Sequence, residues 1–216
     1  MKGLWRTERE LRAQGFIHIA GVDEAGCGPL AGPVVAAAAV FADSCRLPGL
    51  ADSKLLKAEA RERLFELIHR KALCVGVGIA DARMVDRLNV LSASHLAMHE
   101  AIKQLEPQPD LLLVDGRGLP GVSLPQRAIV KGDRSCASIA AASIVAKVVR
   151  DRLMVELDEQ YPGYGFAHHK GYGTKEHLAR LFEHGPCPEH RRSFAPVRAA
   201  LQGRLPVGDA RDECGQ

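Results

Sequence analysis

The chain has 216 residues, 46% of them hydrophobic and 25% charged, with a formal net charge of +3. Against a usual domain of roughly 150 residues this length allows one large domain or one domain with appendages, and the composition excludes disordered, collagen-like and coiled-coil classes. The small positive charge permits a polyanionic partner without requiring one.

Thr7-x-x-Glu10 has the form of a capping box, which predicts a short helix from about Glu8 to Gln14 stopped by Gly15. Residues 1–16 are charged and lack the apolar centre of a secretory leader. The longest apolar run, Leu30 to Ala42, is interrupted by Gly32 and Pro33 and is too short to cross a bilayer of about 30 Å. The expectation is a cytoplasmic protein.

Ile17 to Val22 reads as a strand that runs into Asp23-Glu24-Ala25-Gly26-Cys27-Gly28-Pro29, where glycine and proline turn the chain. Pro33 to Phe41 reads as a second, buried strand. Leu56, Ala60, Leu64, Leu67 and Ile68 recur at helical spacing, which predicts an amphipathic helix from about Lys57 to Lys71, followed by a strand at Cys74 to Ile79. Leu91, Met98, Ala101, Ile102 and Leu105 stripe another helix, ended by Pro107 and Pro109. The strand Leu111 to Val114 then ends at Asp115.

Arg127 to Val130 predicts a short strand, and the small-residue run from Ser138 opens a long helix reaching about Glu159. Thr174 can cap a helix stopped by Gly185 and Pro186, and a last short helix covers Pro196 to Gln202. Strands alternating with helices imply an α/β domain over 1–202, helical from about 174 as a small C-terminal cap, with a flexible tail at 203–216.

Three or four carboxylates, Asp23, Glu24, Asp115 and Asp133, fall at or just after predicted strand ends. Gathered by folding, they would repel one another and require either a proton or a hard divalent cation, and all-oxygen donors favour magnesium or manganese over zinc. Spacing alone does not establish that they converge. The six cysteines form no CxxC pair and are expected to be reduced. His95 and His99 lack the glutamate of a HExxH motif, and Cys187 with His184 and His190 lacks a fourth ligand, so neither set reads as a zinc site. Lys147 and Arg150 read either as phosphate contacts or as a basic solvent face.

The segment Gly21-Val22-Asp23-Glu24-Ala25-Gly26-Cys27-Gly28-Pro29-Leu30-Ala31-Gly32-Pro33-Val34-Val35 resembles the opening signature of the type 2 ribonucleases H (ribonuclease HII). The resemblance continues through Asp52-Ser53-Lys54, Val114-Asp115-Gly116, Lys131-Gly132-Asp133, Ile139 to Lys147 with Arg150-Asp151, and His169-Lys170-Gly171-Tyr172-Gly173-Thr174, in order over roughly 17–195. It implies a ribonuclease H-like mixed sheet flanked by helices. The implied activity hydrolyses the RNA strand of RNA–DNA hybrids and cuts at ribonucleotides embedded in duplex DNA, leaving 5′-phosphate and 3′-hydroxyl ends.

Asp23, Glu24, Asp115 and Asp133 stand at the family's catalytic acid positions. The resemblance implies that they hold one or two Mg2+ or Mn2+ ions, about 4 Å apart when paired, that activate water and stabilise the departing oxygen. Asp151 lies inside the predicted long helix and reads as a structural ion pair. Gly26-Cys27-Gly28 matches the loop whose backbone reads the ribose 2′-hydroxyl, with Cys27 where many relatives carry arginine. Tyr172 matches the tyrosine that packs on a sugar beside the RNA-to-DNA junction. Lys54 and Lys170 are candidate phosphate contacts. Two other readings are a noncatalytic hybrid-binding module, opposed by the full acid set, and a related DNA-junction nuclease, opposed by the 2′-hydroxyl loop. A monomer with no obligate protein partner is expected.

Overall fold

The computed structural model describes residues 3–203. The predicted tail falls almost wholly outside them. Five strands form one mixed sheet in the order β3-β2-β1-β4-β5. They are β1 (Ile19–Ala25), β2 (Val34–Phe41), β3 (Ala72–Ala80), β4 (Leu111–Asp115) and β5 (Gln126–Ile129). The first three pair antiparallel, whereas β4 lies parallel to both β1 and β5.

Side chains alternate across each strand, so each sheet face gathers its own helix. On one face Ala37, Ala39 and Phe41 pack with Ala140, Ala141, Ile144 and Val145 of α5 (Ala137–Gln160) and with Leu64 and Ile68 of α2 (Ala58–Lys71). On the other, Ala20, Val22, Ala38, Leu112 and Val114 pack with Ala97, Met98, Ala101 and Ile102 of α4 (Val90–Lys103). Two close approaches set the layer spacing: a Cβ at Gly21 would collide with the α5 backbone at Ser138, and one at Gly78 with the α4 carbonyl of Ala97. Truncating Ile68, wholly buried between α2 and the sheet, should cost about 2–5 kcal/mol.

Three expectations are corrected. Strand β1 continues through Asp23 and Glu24 to Ala25, so both acids sit within the strand rather than beyond its end; the antiparallel ladder to β2, running to the Ala25–Val35 pair, holds the chain extended. Helix α1 (Arg6–Arg12) starts after Trp5 with no side-chain cap, and Glu10 pairs with Arg6 at 2.7 Å instead of closing a capping box with Thr7. A helix the periodicity missed, α3 (Ala82–Leu88), precedes α4; it buries only Ala82 and Val85, too few for a stripe, and ends at Asn89, whose φ of 69° separates the two helices.

The C-terminal part contains α6 (Phe166–His169), α7 (Lys175–His184) and α8 (Ala195–Leu201). Thr174 caps α7 as expected by accepting from the His177 amide at 3.2 Å. Leu181 and Val197 close over Leu30, which places this helical segment against the loop between β1 and β2. Among the described residues no helix is long and apolar enough to cross a membrane, and the five described cysteines are free.

Candidate active site

Parallel pairing of β1 with β4 runs to Val22 beside Val114, so the next residues, Asp23 and Asp115, stand next to each other at the carboxyl ends of two central strands. Neighbouring strands are about 4.8 Å apart. Asp23 shares the α5 face with Gly21, and Asp115 shares it with Leu111 and Leu113, which pack against Ile139 of α5. Glu24, one residue on, belongs to the opposite face, where the Cys27 thiol lies 3.7 Å from its Oε1.

Asp133 arrives from a different direction, in the single 3-10 turn Gly132–Arg134 after β5. The Gly132 amide donates to Asp115 Oδ1 at 2.6 Å, which fastens that turn to the end of β4. Lys54 Nζ lies 3.8 Å from Asp133 Oδ2, on a side chain 76% exposed. Asp52 anchors the same turn, accepting from the Lys54 amide at 2.9 Å and from Arg134 Nε at 2.9 Å.

Charge binds these positions into one electrostatic unit. Burial holds the Asp23 carboxyl well above the usual carboxylate range, and Glu24 and then Asp115 add to the shift, against a hydrogen bond from Ser143 that favours the charge. Glu24 is raised by burial and then by Asp115, and Asp133 by burial, then Asp115, then Asp52; Lys54 opposes both. Asp115 is thus the one charge that the other three all feel.

Among the described residues no group of three or more histidine, cysteine, aspartate or glutamate side chains is already placed to hold a metal ion. The four acids make a mutually repulsive cluster centred on Asp115, not a finished coordination shell. An all-carboxylate donor set in which Asp115 raises the pKa of the other three is relieved by a hard divalent cation, so the chemistry of the donors present fits Mg2+ or Mn2+.

The loop after β1 lies beside this cluster. Gly26 adopts a φ of 97°, and a Cβ there would strike the Arg150 guanidinium and approach the Pro33 carbonyl to 2.7 Å; only glycine fits. Gly28 lies 3.9 Å from the Tyr172 ring, measured from an added Cβ, so the expected loop and tyrosine do come together. The Leu30 amide donates to Gly171 O at 2.8 Å and links the two segments. Burial, with Glu24 next, pushes the Cys27 thiol up to about 12, so it stays protonated.

Several residues differ from their sequence reading. Lys170 Nζ donates to Ala167 O at 2.5 Å, which engages one of its three donors at the end of α6. Arg150 is wholly buried, which excludes both the phosphate-contact and the solvent-face readings. Asp151 accepts from Lys147 at 2.6 Å and lies 3.6 Å from Arg61, the structural ion pair expected. His184 packs edge-on to Tyr164, whereas His190 Nδ1 accepts from the Cys187 amide at 3.1 Å and lies 3.2 Å from the Cys187 thiol; among the described residues the three do not form a metal-holding group.

Sequence reading missed the residues that support the site. The Ser143 hydroxyl that reaches Asp23 is 2.9 Å from the Ser53 hydroxyl. Its signal was a serine after three alanines in the long helix. Glu8, buried, accepts from the Ser138 amide and hydroxyl at 2.8 Å each and so caps α5. Arg191 and the pair His177–His190 had no local signal.

The family described as Ribonuclease HII matches residues 20–197. A ribonuclease HII from Geobacter metallireducens is 56% identical over 197 residues, covering 91% of this chain and 92% of that protein. The crystal structure of ribonuclease H2 from Pyrococcus horikoshii superposes with a TM-score of 0.73 at 27% identity, covering 86% of this chain and 98% of that one. Bst-RNase HIII in complex with Mn2+ shares the fold, with a TM-score of 0.63 at 21% identity over 86% of this chain and 70% of that one.

Proposed function

Because the chain belongs to the ribonuclease HII family, and is therefore an endonuclease of RNA–DNA hybrids, we propose that Asp23, Glu24, Asp115 and Asp133 are its catalytic and metal-holding acids. We extend the reading to cleavage at ribonucleotides embedded in duplex DNA, with 5′-phosphate and 3′-hydroxyl products. The observation that carries it is the Asp115-centred cluster, four carboxylates whose repulsion Lys54 and Ser143 only partly offset, beside a glycine loop and an exposed tyrosine.

The acids would hold Mg2+ or Mn2+, which when bound supplies polarisation of water and of the scissile phosphate and neutralises charge on the departing oxygen. The Mn2+ complex of the Bst-RNase HIII relative supports a divalent ion without choosing between the two. Ser143 orients Asp23, and the Gly132 amide orients Asp115, so neither carboxylate must reorganise when substrate arrives. Gly26, Cys27 and Gly28 bring backbone donors to the ribose, where a 2′-hydroxyl distinguishes RNA from DNA. Tyr172, 46% exposed, offers its ring to the adjoining sugar. Lys54 serves backbone phosphate, and Lys170 can do so with the ammonium donors that Ala167 O leaves unused. A monomer is part of this proposal.

The test uses three labelled duplexes of one sequence: all-DNA, DNA with one ribonucleotide, and an RNA–DNA hybrid, each with Mg2+, Mn2+ or a chelator. Metal-dependent cuts at the ribonucleotide and in the hybrid, with all-DNA intact, are expected. Cleavage of all-DNA, or cleavage in chelator, would overturn the reading.

A further inference from the structure

Arg191 is wholly buried and lies 159–165 residues from the loop it touches. All five of its donor directions end on carbonyls of that loop. Nε donates to Gly32 O at 3.0 Å, Nη1 to Cys27 O at 3.1 Å and Pro29 O at 2.8 Å, and Nη2 to Gly26 O at 2.6 Å and Gly32 O at 2.9 Å. Arg150, also wholly buried, does the same for the next stretch: it donates to Pro33 O at 2.9 Å, Ala31 O at 3.2 Å and Lys170 O at 3.0 Å. Neither guanidinium forms a salt bridge among the described residues. Burial, and next the neighbouring charge of Arg150, brings Arg191 down to about 10. Two unneutralised cations held under one loop are costly unless their geometry is used.

Peptide planarity says what that geometry does. In a trans peptide the carbonyl and the following N–H point in opposite directions. Drawing Gly26 O and Cys27 O inward onto Arg191 therefore turns the amides of Cys27 and Gly28 away from Arg191, and Gly28 lies beside the Tyr172 ring. No hydrogen bond from either amide is present among the described residues. Arg150 ties the Tyr172 segment into the same frame through Lys170 O, and its guanidinium carbon lies 6.0 Å from the Tyr172 ring centre.

From this geometry we infer that Arg191 is a specificity-positioning residue: by gripping the carbonyls of Gly26 and Cys27 it aims the Cys27 and Gly28 amides at the ribose and so sets the discrimination between ribonucleotide and deoxyribonucleotide. This rests on the ribonucleotide-cleaving function proposed above and assigns the residue that controls its selectivity. Arg191 touches no substrate and acts through the loop. Lysine in its place keeps a charge but loses the planar fork that spans four carbonyls.

The experiment is competition kinetics on the full chain with Mg2+. A duplex bearing one ribonucleotide is the substrate, and an all-DNA duplex of the same sequence is the inhibitor. The ratio of the inhibitor's Ki to the substrate's KM measures discrimination. Arg191→Lys, verified as folded by its melting transition, should lower this ratio about tenfold, the equivalent of losing one aimed hydrogen bond. Leu11→Ala, in a packing cluster on the α1 side, supplies the reference for general destabilisation and should leave the ratio unchanged. A ratio equal to wild type in folded Arg191→Lys overturns the inference while leaving the functional reading intact. If wild type itself shows no discrimination, the functional reading fails and this one with it. If Arg191→Lys does not fold, amide exchange on the unmodified protein decides: residues 26–28 protected more by the ribonucleotide duplex than by all-DNA support the assignment, and equal protection overturns it.

Discussion

The Gly132 amide donates to Asp115 Oδ1 over 2.6 Å, and this bond fastens the turn that carries Asp133 to the strand end that carries Asp115. One acid is thereby both the electrostatic centre of the site and its mechanical anchor. Asparagine at 115 can keep the bond, because its side-chain oxygen still accepts, while removing the charge. Asp115→Asn thus separates the two roles.

In chelator, Asp115→Asn should melt higher than wild type by about 2–4 °C, corresponding to roughly 1 kcal/mol of relieved repulsion in a chain of this size. Asp23, Glu24 and Asp133 all have folded pKa values raised with Asp115 as a cause. The native state therefore holds more protons than the unfolded state, and this contribution to stability is lost as pH rises from the ordinary carboxylate range through the raised values. The variant should show a weaker decline over that window. Mg2+ should stabilise wild type more than the variant. A lower melting point for the variant in chelator would contradict the repulsive cluster.

Removing the Ser143 hydroxyl takes away the side-chain donor that favours charged Asp23. Ser143→Ala should raise the Asp23 pKa further, shift the acidic limb of the kcat/KM profile to higher pH, and lower activity about ten- to a hundredfold, as expected for support of a metal-holding carboxylate. A profile unmoved on the pH axis, measured across the acidic limb, would show that the serine only fills space.

His177 and His190 are buried and locked as neutral tautomers. The Tyr172 carbonyl can only accept, so His177 Nδ1 donates to it at 2.9 Å. The Cys187 amide occupies His190 Nδ1, so His190 Nε2 donates to His177 Nε2 at 3.0 Å. Burial first, then for His177 the neighbouring His169 and for His190 the neighbouring His177, holds them down at about 4 and about 3. With folded values below the unfolded one, their stabilising contribution is present at neutral pH and is lost as pH falls below about 6.5. At pH 5 each costs about 2 kcal/mol relative to pH 7. His190→Gln should melt lower at pH 7 but with a shallower decline toward pH 5; an unchanged slope would refute the tautomer chain.

Lys54 is exposed and, among the described residues, forms its one ion pair across 3.8 Å with Asp133. Lys54→Met should weaken binding of ribonucleotide-containing and all-DNA duplexes alike and reduce the salt slope of binding by about one, since a single phosphate contact releases about one counterion. Loss confined to the ribonucleotide duplex would show that Lys54 contacts something other than phosphate.

Local physics made most elements legible. The Leu64 and Ile68 stripe marked α2, which buries one face, and the small-residue run marked α5, whose residues 137–146 are all buried. The helix α3 escaped because two buried residues make no period. For the acids, sequence could place Asp23 and Asp115 on separate strands, but their adjacency depends on the parallel register of β1 and β4, which no local pattern encodes. Motif order supplied the grouping instead. Arg191 and Arg150 lay beyond reach for a related reason: their partners are backbone carbonyls, all but that of Lys170 lying 117–165 residues distant, which leave no side-chain signature.

Single-turnover cleavage of a duplex containing one ribonucleotide, by wild type and by folded Asp23→Asn and Asp115→Asn under saturating Mg2+ or Mn2+, addresses the four-acid centre most directly. Wild type should cut at the ribonucleotide and both variants should lose at least about a thousandfold in rate, the scale of removing a group that acts only in the transition state. Cleavage by either variant at the wild-type rate would contradict the account.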